Sequence, residues 1–107
     1  MKKNKLLFIV NTDWFFLSHR LPIAREAINQ GYEVHIATKI TNKLDILKKE
    51  RLIVHPLIID RSNLGIKTII FEFKEIFDVI RTVAPDIVHL VTIKPVLFGG
   101  IAARILN

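Results

Sequence analysis

Two short segments hold most of the side chains able to do chemistry. Asn11, Thr12, Asp13, Ser18, His19 and Arg20 fall close together, interleaved with Trp14, Phe15 and Phe16. Thr92 and Lys94 form a second group just ahead of Pro95. Basic side chains beside helix starts favour anions, because the first N–H groups of a helix are free and its dipole is positive there. On the plainer reading, Ser18 only caps a helix and Arg20 only pairs with a carboxylate. His19 can donate a hydrogen bond or act as an acid or base near neutral pH, or it can be simply an exposed helix-start histidine. His35, His55 and His89 each follow a valine inside an apolar run. They read as packed, hydrogen-bonded strand histidines, with His89 on the strand that leads to Thr92.

Several chemistries are not expected. The chain has no cysteine, so disulfides, thiolate metal sites and cysteine nucleophiles are excluded. No two histidines have helical metal-ligand spacing, and no metal is expected. Neither GxGxxG nor a P-loop follows the first apolar run, so a dinucleotide or ATP fingerprint is missing. No single residue can be named catalytic from the sequence.

The elements that must position these groups alternate. Lys5–Val10 is an unbroken apolar run of the buried parallel-strand type. Residues 11–17 are expected as a loop and Arg20–Gln30 as a helix. Ser18 is its expected N-cap, Pro22 lies in its first turn and Gly31 ends it. Tyr32–Thr38 reads as a second strand, Asn42–Glu50 as a short helix, Leu52–Ile59 as a third strand and Asp60–Gly65 as a loop. Ile66–Val83 is a long amphipathic helix with Ile69, Ile70, Phe73, Ile76, Phe77 and Ile80 at helical spacing. Lys67, Lys74 and Arg81 form a solvated basic stripe on it. Ile87–Val91 is a fourth strand, Thr92–Pro95 a turn, and Val96–Leu106 a further helix. Gly99 and Gly100 there suggest close backbone packing, since each costs about 1 kcal/mol against alanine in a helix. This βα alternation predicts an α/β fold: a Rossmann-like parallel sheet with helices on both faces. Such sheets bind ligands at the carboxyl ends of the strands, where strand order reverses. The first and fourth strands should meet there, bringing the segments after Val10 and Val91 together.

The 107 residues suffice for one small domain. The net charge of +6 is scattered and fits nucleic acid, an anionic membrane or phosphorylated substrates, or a merely solvated surface. The opening MKKNKLLFIV imitates a signal peptide, but its apolar run stops at Asn11, Thr12 and Asp13. A cytoplasmic location follows, with attachment to the inner membrane surface left open.

Two stretches carry a resemblance. NTDWFFLSHRLPIAREAINQGYEVHIAT and PDIVHLVTIKPVLFGGIAARIL resemble the opening and the fourth strand–helix unit of glycosyltransferase family 4 enzymes, which build surface polysaccharides and lipid-linked glycans. The resemblance implies a GT-B fold, with two Rossmann-like domains facing a cleft. The N-terminal domain mainly receives the acceptor and the C-terminal domain mainly holds the nucleotide sugar. It implies retaining transfer without a required metal or other cofactor. The implied partners are a nucleotide sugar, a polysaccharide or polyprenyl-diphosphate-linked acceptor and the inner-membrane surface, and not nucleic acid. By position, Asn11, Asp13, His19, Arg20, Thr92 and Lys94 become the expected acceptor- and diphosphate-binding residues. The first loop lacks the glycine pair of simpler members. Members are also several times longer, so residues 1–107 are expected to be an incomplete N-terminal domain, inactive alone and a poor soluble monomer.

Two other function classes stand beside this one. A noncatalytic subunit docking on a membrane partner stays open, because the expected catalytic half is not among these residues. A receiver-like signalling module would use Asp13, Asp60, Thr92 and Lys94, but it needs a strand between its threonine and its lysine. Here those two residues are two apart.

Overall fold

The structure is a computed structural model that describes residues 3–58 and 66–90, with the backbone alone for Asn11 and residues 66–69. The expected elements at 59–65 and from Val91 onward, including Thr92, Lys94, Gly99 and Gly100, lie outside the described residues.

The chain runs β1 (Lys5–Thr12), α1 (Asp13–His19), α2 (Leu21–Asn29), β2 (Glu33–Lys39), α3 (Leu44–Lys49), β3 (Ile53–Pro56), α4 (Ile66–Val83) and β4 (Ile87–Leu90). The strands form one sheet in the order β3-β2-β1-β4. All pairs are parallel. Leu6 lies opposite Ile87 and Phe8 opposite His89, so the first and fourth strands are neighbours, as the alternation predicts. Asp86 fixes that register. Its Oδ2 accepts from the Lys5 N–H at 2.7 Å, and its own N–H donates to the Lys5 carbonyl at 2.9 Å.

β1 is buried on both faces, which explains its unbroken apolar run. Leu6, Phe8 and Val10 join Phe16, Ala24, Val34, Ile36 and Leu47 on the side of α1, α2 and α3. Leu7 and Ile9 join Ala37, Ile76, Ile80 and Val83 on the side of α4. Helices therefore cover both faces of the sheet. Each such side chain contributes about 1.5–3 kcal/mol when fully buried.

Gly31 ends α2 as expected, with φ +92°. Its N–H donates to the Ile28 carbonyl, and the Tyr32 N–H reaches back to Ala27. This is the paired closure that a left-handed residue allows. α4 keeps its expected bounds, but Ile70 is 62% exposed. It lies about 120° around the helix from Ile76, and Glu72 is buried instead. Lys74 and Arg81 are exposed, as a solvated stripe requires.

The first connection differs most from expectation. Residues 13–19 form a helix, not a loop. Phe16 is the cause. It is fully buried and meets Phe8 edge to face, with ring centroids 5.2 Å apart. Ser18 does not cap the next helix. It sits in the last turn of α1, where its Oγ donates to the Trp14 or Phe15 carbonyl.

Two strand histidines behave as packed, bonded groups. His35 Nε2 contacts Glu33 Oε2 at 2.7 Å, and His35 Nδ1 contacts His55 Nε2 at 2.9 Å. The ionised Glu33 can only accept, so His35 carries its proton on Nε2. The bond to His55 needs one proton between the two nitrogens and fails when both rings are charged. Burial, and then His35, push the His55 pKa below the ordinary 6.5. The unfolded chain thus binds the His55 proton first as pH falls. This contribution to stability is complete above pH 6.5 and is lost as pH drops from there through the lower folded value. Urea unfolding between pH 7.5 and 5 should show this loss in the native protein. His55→Gln, which keeps a donor, should show a shallower slope. Equal slopes would remove His55 as the cause.

Candidate functional site

The carboxyl ends of β1 and β4 bring the first chemistry-bearing segment beside the fourth strand. Asp13 lies beneath this end, fully buried. Its Oδ1 accepts from the Trp14 N–H at 2.8 Å and the Thr41 hydroxyl at 2.7 Å. Its Oδ2 accepts from the N–H groups of Thr41 at 3.0 Å and Lys43 at 2.9 Å. Burial by itself would raise the Asp13 pKa. The bonds from Thr41, Lys43 and Trp14 outweigh burial and hold it below its usual value. The carboxylate thus straps the β1–α1 turn to the β2–α3 loop, with its oxygens turned to these donors and not to solvent.

The α1–α2 junction places His19 and Arg20. α1 closes with the Arg20 N–H on the Phe16 carbonyl at 2.8 Å. α2 starts at once, with Arg20 as its N-cap and no side-chain capping bond. The N–H groups of Ile23 and Ala24 both donate to the Arg20 carbonyl, and Pro22 has no N–H. The free helix start expected at Arg20 is therefore mostly consumed, and attraction for an anion falls to the arginine side chain. Arg20 is half-buried. Its Nη1 donates to the His19 carbonyl at 3.3 Å, and its buried Nε has no partner among the described residues. His19 is exposed and stacks on Phe15, with centroids 4.3 Å apart and planes 16° from parallel. Its Nδ1 lies 2.8 Å from Ser18 Oγ and 3.2 Å from the Phe15 carbonyl oxygen. A carbonyl only accepts, so this contact puts the proton on Nδ1 and leaves Nε2 as the basic nitrogen.

His89 joins the group from β4. Its ring packs on Phe8, with centroids 5.0 Å apart, on the side of the sheet that α1 covers. The expected residues Asp13, His19 and Arg20 are thus placed at one end of the sheet, while the Asn11 side chain, Thr92 and Lys94 lie outside the described residues. The Thr41 and Lys43 backbone groups were not legible beforehand, since no motif marks them. His89 carried a signal in its strand position.

The family comparison decides the grouping. A family described as glycosyl transferase 4-like matches residues 5–107. The chain belongs to the glycosyltransferase 4-like family. No curated protein sequence matches it. Among solved structures, this glycosyltransferase 4-like chain is similar to MurG from Acinetobacter baumannii. The two share 20% identity at TM-score 0.71, over 99% of this chain and 32% of that one. A glycosyltransferase from Rickettsia africae ESF-5 shares 18% identity at TM-score 0.73, over 100% of this chain and 28% of that one. The C-terminal domain of a hydrogenase from Pyrococcus furiosus shares 17% identity at TM-score 0.66, over 99% of this chain and 88% of that one. Such likenesses establish a Rossmann-like α/β fold, and the hydrogenase shows that the fold alone does not name a chemistry. The chain spans about a third of the length of the first two of these proteins.

The strand order of the glycosyltransferase 4-like chain excludes the receiver reading. A receiver-type sheet runs 2-1-3-4-5, with β3 beside β1, whereas here β3 lies outside β2 and β4 takes the place beside β1. A cavity of about 260 Å³ lined by Arg25, Ile28, Asn29, Lys49, Glu50 and Arg51 lies near the carboxyl ends of α2 and α3. These feed the amino ends of β2 and β3, away from the ligand-binding end of such sheets. Among the described residues, no helix is long and apolar enough to cross a membrane.

Proposed function

We propose that this chain is the acceptor-side domain of a GT-B glycosyltransferase. The enzyme would transfer a sugar, with retention, from a nucleotide sugar to a polysaccharide or polyprenyl-diphosphate-linked acceptor, in the cytoplasm and at the inner face of the membrane. No metal or other cofactor enters the reading. One observation carries the site: Arg20 is half-buried at the β1–β4 end with its Nε unpartnered among the described residues, in a chain that matches the family over residues 5–107. A guanidinium there would hold the acceptor's phosphate oxygens through charge-assisted hydrogen bonds. Lys94, four residues past Leu90, would add a second positive charge, with Asn11 and Thr92 as polar contacts. His19, exposed with Nε2 basic, would accept a hydrogen bond from an acceptor hydroxyl. Asp13 would act by fixing the turn that carries these groups.

The test uses a longer enzyme that contains this domain. Arg20→Ala and Lys94→Ala should each lower kcat/KM by about 10–100-fold, the equivalent of one hydrogen bond to a charged group. His19→Ala should cost less. Thermal unfolding of all three should match the parent. Unchanged kinetics in both the Arg20 and Lys94 variants would leave these residues with structural roles only.

A further inference from the structure

The cavity near the carboxyl ends of α2 and α3 is lined by three cations, Arg25, Lys49 and Arg51, and by one carboxylate, Glu50. That carboxylate is already spent. Its Oε2 accepts from Arg25 Nε at 2.8 Å and its Oε1 from Arg25 Nη2 at 2.6 Å. This two-pronged pair neutralises one cation and leaves Arg25 Nη1 turned away from Glu50. Lys49 and Arg51 make no ion pair among the described residues, and Asp45, one turn before Lys49, makes none with it. Glu26, on α2, bonds Gln30 instead. Lys49 has a local duty, since a cation in the last turn of α3 complements the helix dipole. Arg51 has none of this kind. It sits directly after the α3 C-cap at φ +65°, a left-handed position where a Cβ is strained and glycine is favoured. The end of α3 is closed by backbone alone, through the Glu50 N–H on Ile46 and Leu47 and the Arg51 N–H on Lys48. Glycine would close it with less strain, as Gly31 closes α2. A strained backbone position that keeps a guanidinium at the wall of a cavity points to a ligand for that charge.

We propose that Lys49 and Arg51, with the free edge of Arg25 and the Asn29 side-chain amide, form a binding site for a phosphate group. The site lies toward the amino ends of β2 and β3, away from the acceptor residues, and it does not depend on the acceptor reading. The cavity, about 260 Å³ in volume, has room for a phosphate group and some of its hydrating waters. Arg25, Lys49 and Arg51 are exposed, so each contributes as a surface charge and affinity falls as salt rises. Glu50 opposes the ligand by repulsion and by holding Arg25.

The probe is inorganic phosphate, titrated into the 107-residue chain at constant ionic strength and followed by NMR. The backbone amides of residues 49–51 and the Asn29 side-chain amide should shift saturably. Lys49→Gln and Arg51→Gly should each weaken binding about two- to fivefold, the worth of one exposed charge pair. Arg51→Gly should at the same time raise the unfolding midpoint by about 2–5 °C, because it relieves the left-handed strain. Glu50→Gln should tighten binding about two- to fivefold by removing the competing carboxylate, a gain that no folding defect can imitate. Anionic phosphatidylglycerol vesicles separate the two sources of a phosphate group. Phosphate binding together with vesicle binding that Arg51→Gly weakens identifies a lipid headgroup, and phosphate binding without vesicle binding identifies a soluble ligand. Vesicle binding without phosphate binding overturns the site. So do equal shifts from chloride at the same ionic strength, or phosphate binding that Arg51→Gly and Glu50→Gln leave unchanged.

Discussion

Asp13→Ala should lower the unfolding free energy by about 3 kcal/mol. The substitution strips the acceptor from three backbone N–H groups, those of Trp14, Thr41 and Lys43. A buried donor left unpaired costs about 1–3 kcal/mol, and partial solvation of the loosened loop keeps the sum near the lower end. Asparagine should not restore stability. Both oxygens of Asp13 face donors, so either orientation of an amide sets its NH₂ against an N–H. The effect should also show in pH. The folded pKa of Asp13 lies below the usual 3.8, so its contribution is complete above that value and is lost as pH falls through the folded one. Native protein should therefore lose stability on the acid limb, and Asp13→Asn should start lower and lose less. The measurement is urea unfolding at pH 7 and pH 3. A loss below 1 kcal/mol at pH 7 would mean that water replaces the strap at little cost.

Phe16→Ala should cost about 4 kcal/mol, in the range for deleting a fully buried phenylalanine. Phe16 is the inward side chain of α1 and lies wholly out of solvent. Its edge-to-face contact with Phe8 adds about 0.5–1.5 kcal/mol beyond the area it buries. A domain of this size has a total of about 5–15 kcal/mol, so the variant should be partly unfolded at 37 °C. Phe16→Leu should recover more than half of the loss by refilling the volume. Asp13 and Phe16 lie one turn apart on α1, so a double variant should lose less than the two single losses added together. Unfolding midpoints for the four proteins test this. If Phe16→Ala loses under 1 kcal/mol, α1 is not docked on the sheet through that ring.

Much of the architecture was legible because it is local. The run Leu6–Val10 can only be a strand buried on both faces. Gly31 is the residue a left-handed helix end wants, and the apolar spacing over Ile66–Val83 repeats with the helical period. The adjacency of β1 and β4 followed from connectivity, since alternating βα units leave few ways to close a parallel sheet. Arg20 and His19 stood out as groups with chemistry and no obvious structural duty.

What the sequence by itself determined, then, is the α/β class, the elements of strong period, the adjacency of the two strands that flank the site and the family resemblance. Only the tertiary structure decided how the first segment is used. Residues 13–19 look like a polar and aromatic loop, because helix propensity alone does not mark so short a turn. Phe16 makes them a helix by burying against Phe8, a contact across the fold. Ser18 has the chemistry of an N-cap, but α1 already encloses it, so its hydroxyl bonds backwards. Asp13 looked like a ligand-facing carboxylate. Its donors at Thr41 and Lys43 lie 28 and 30 residues away, beyond any local pattern. The packing of His89 on Phe8 likewise joins residues from distant elements. Local periodicity reports which face of an element is apolar, but it carries no information about which buried polar atom will meet which donor once the sheet has closed.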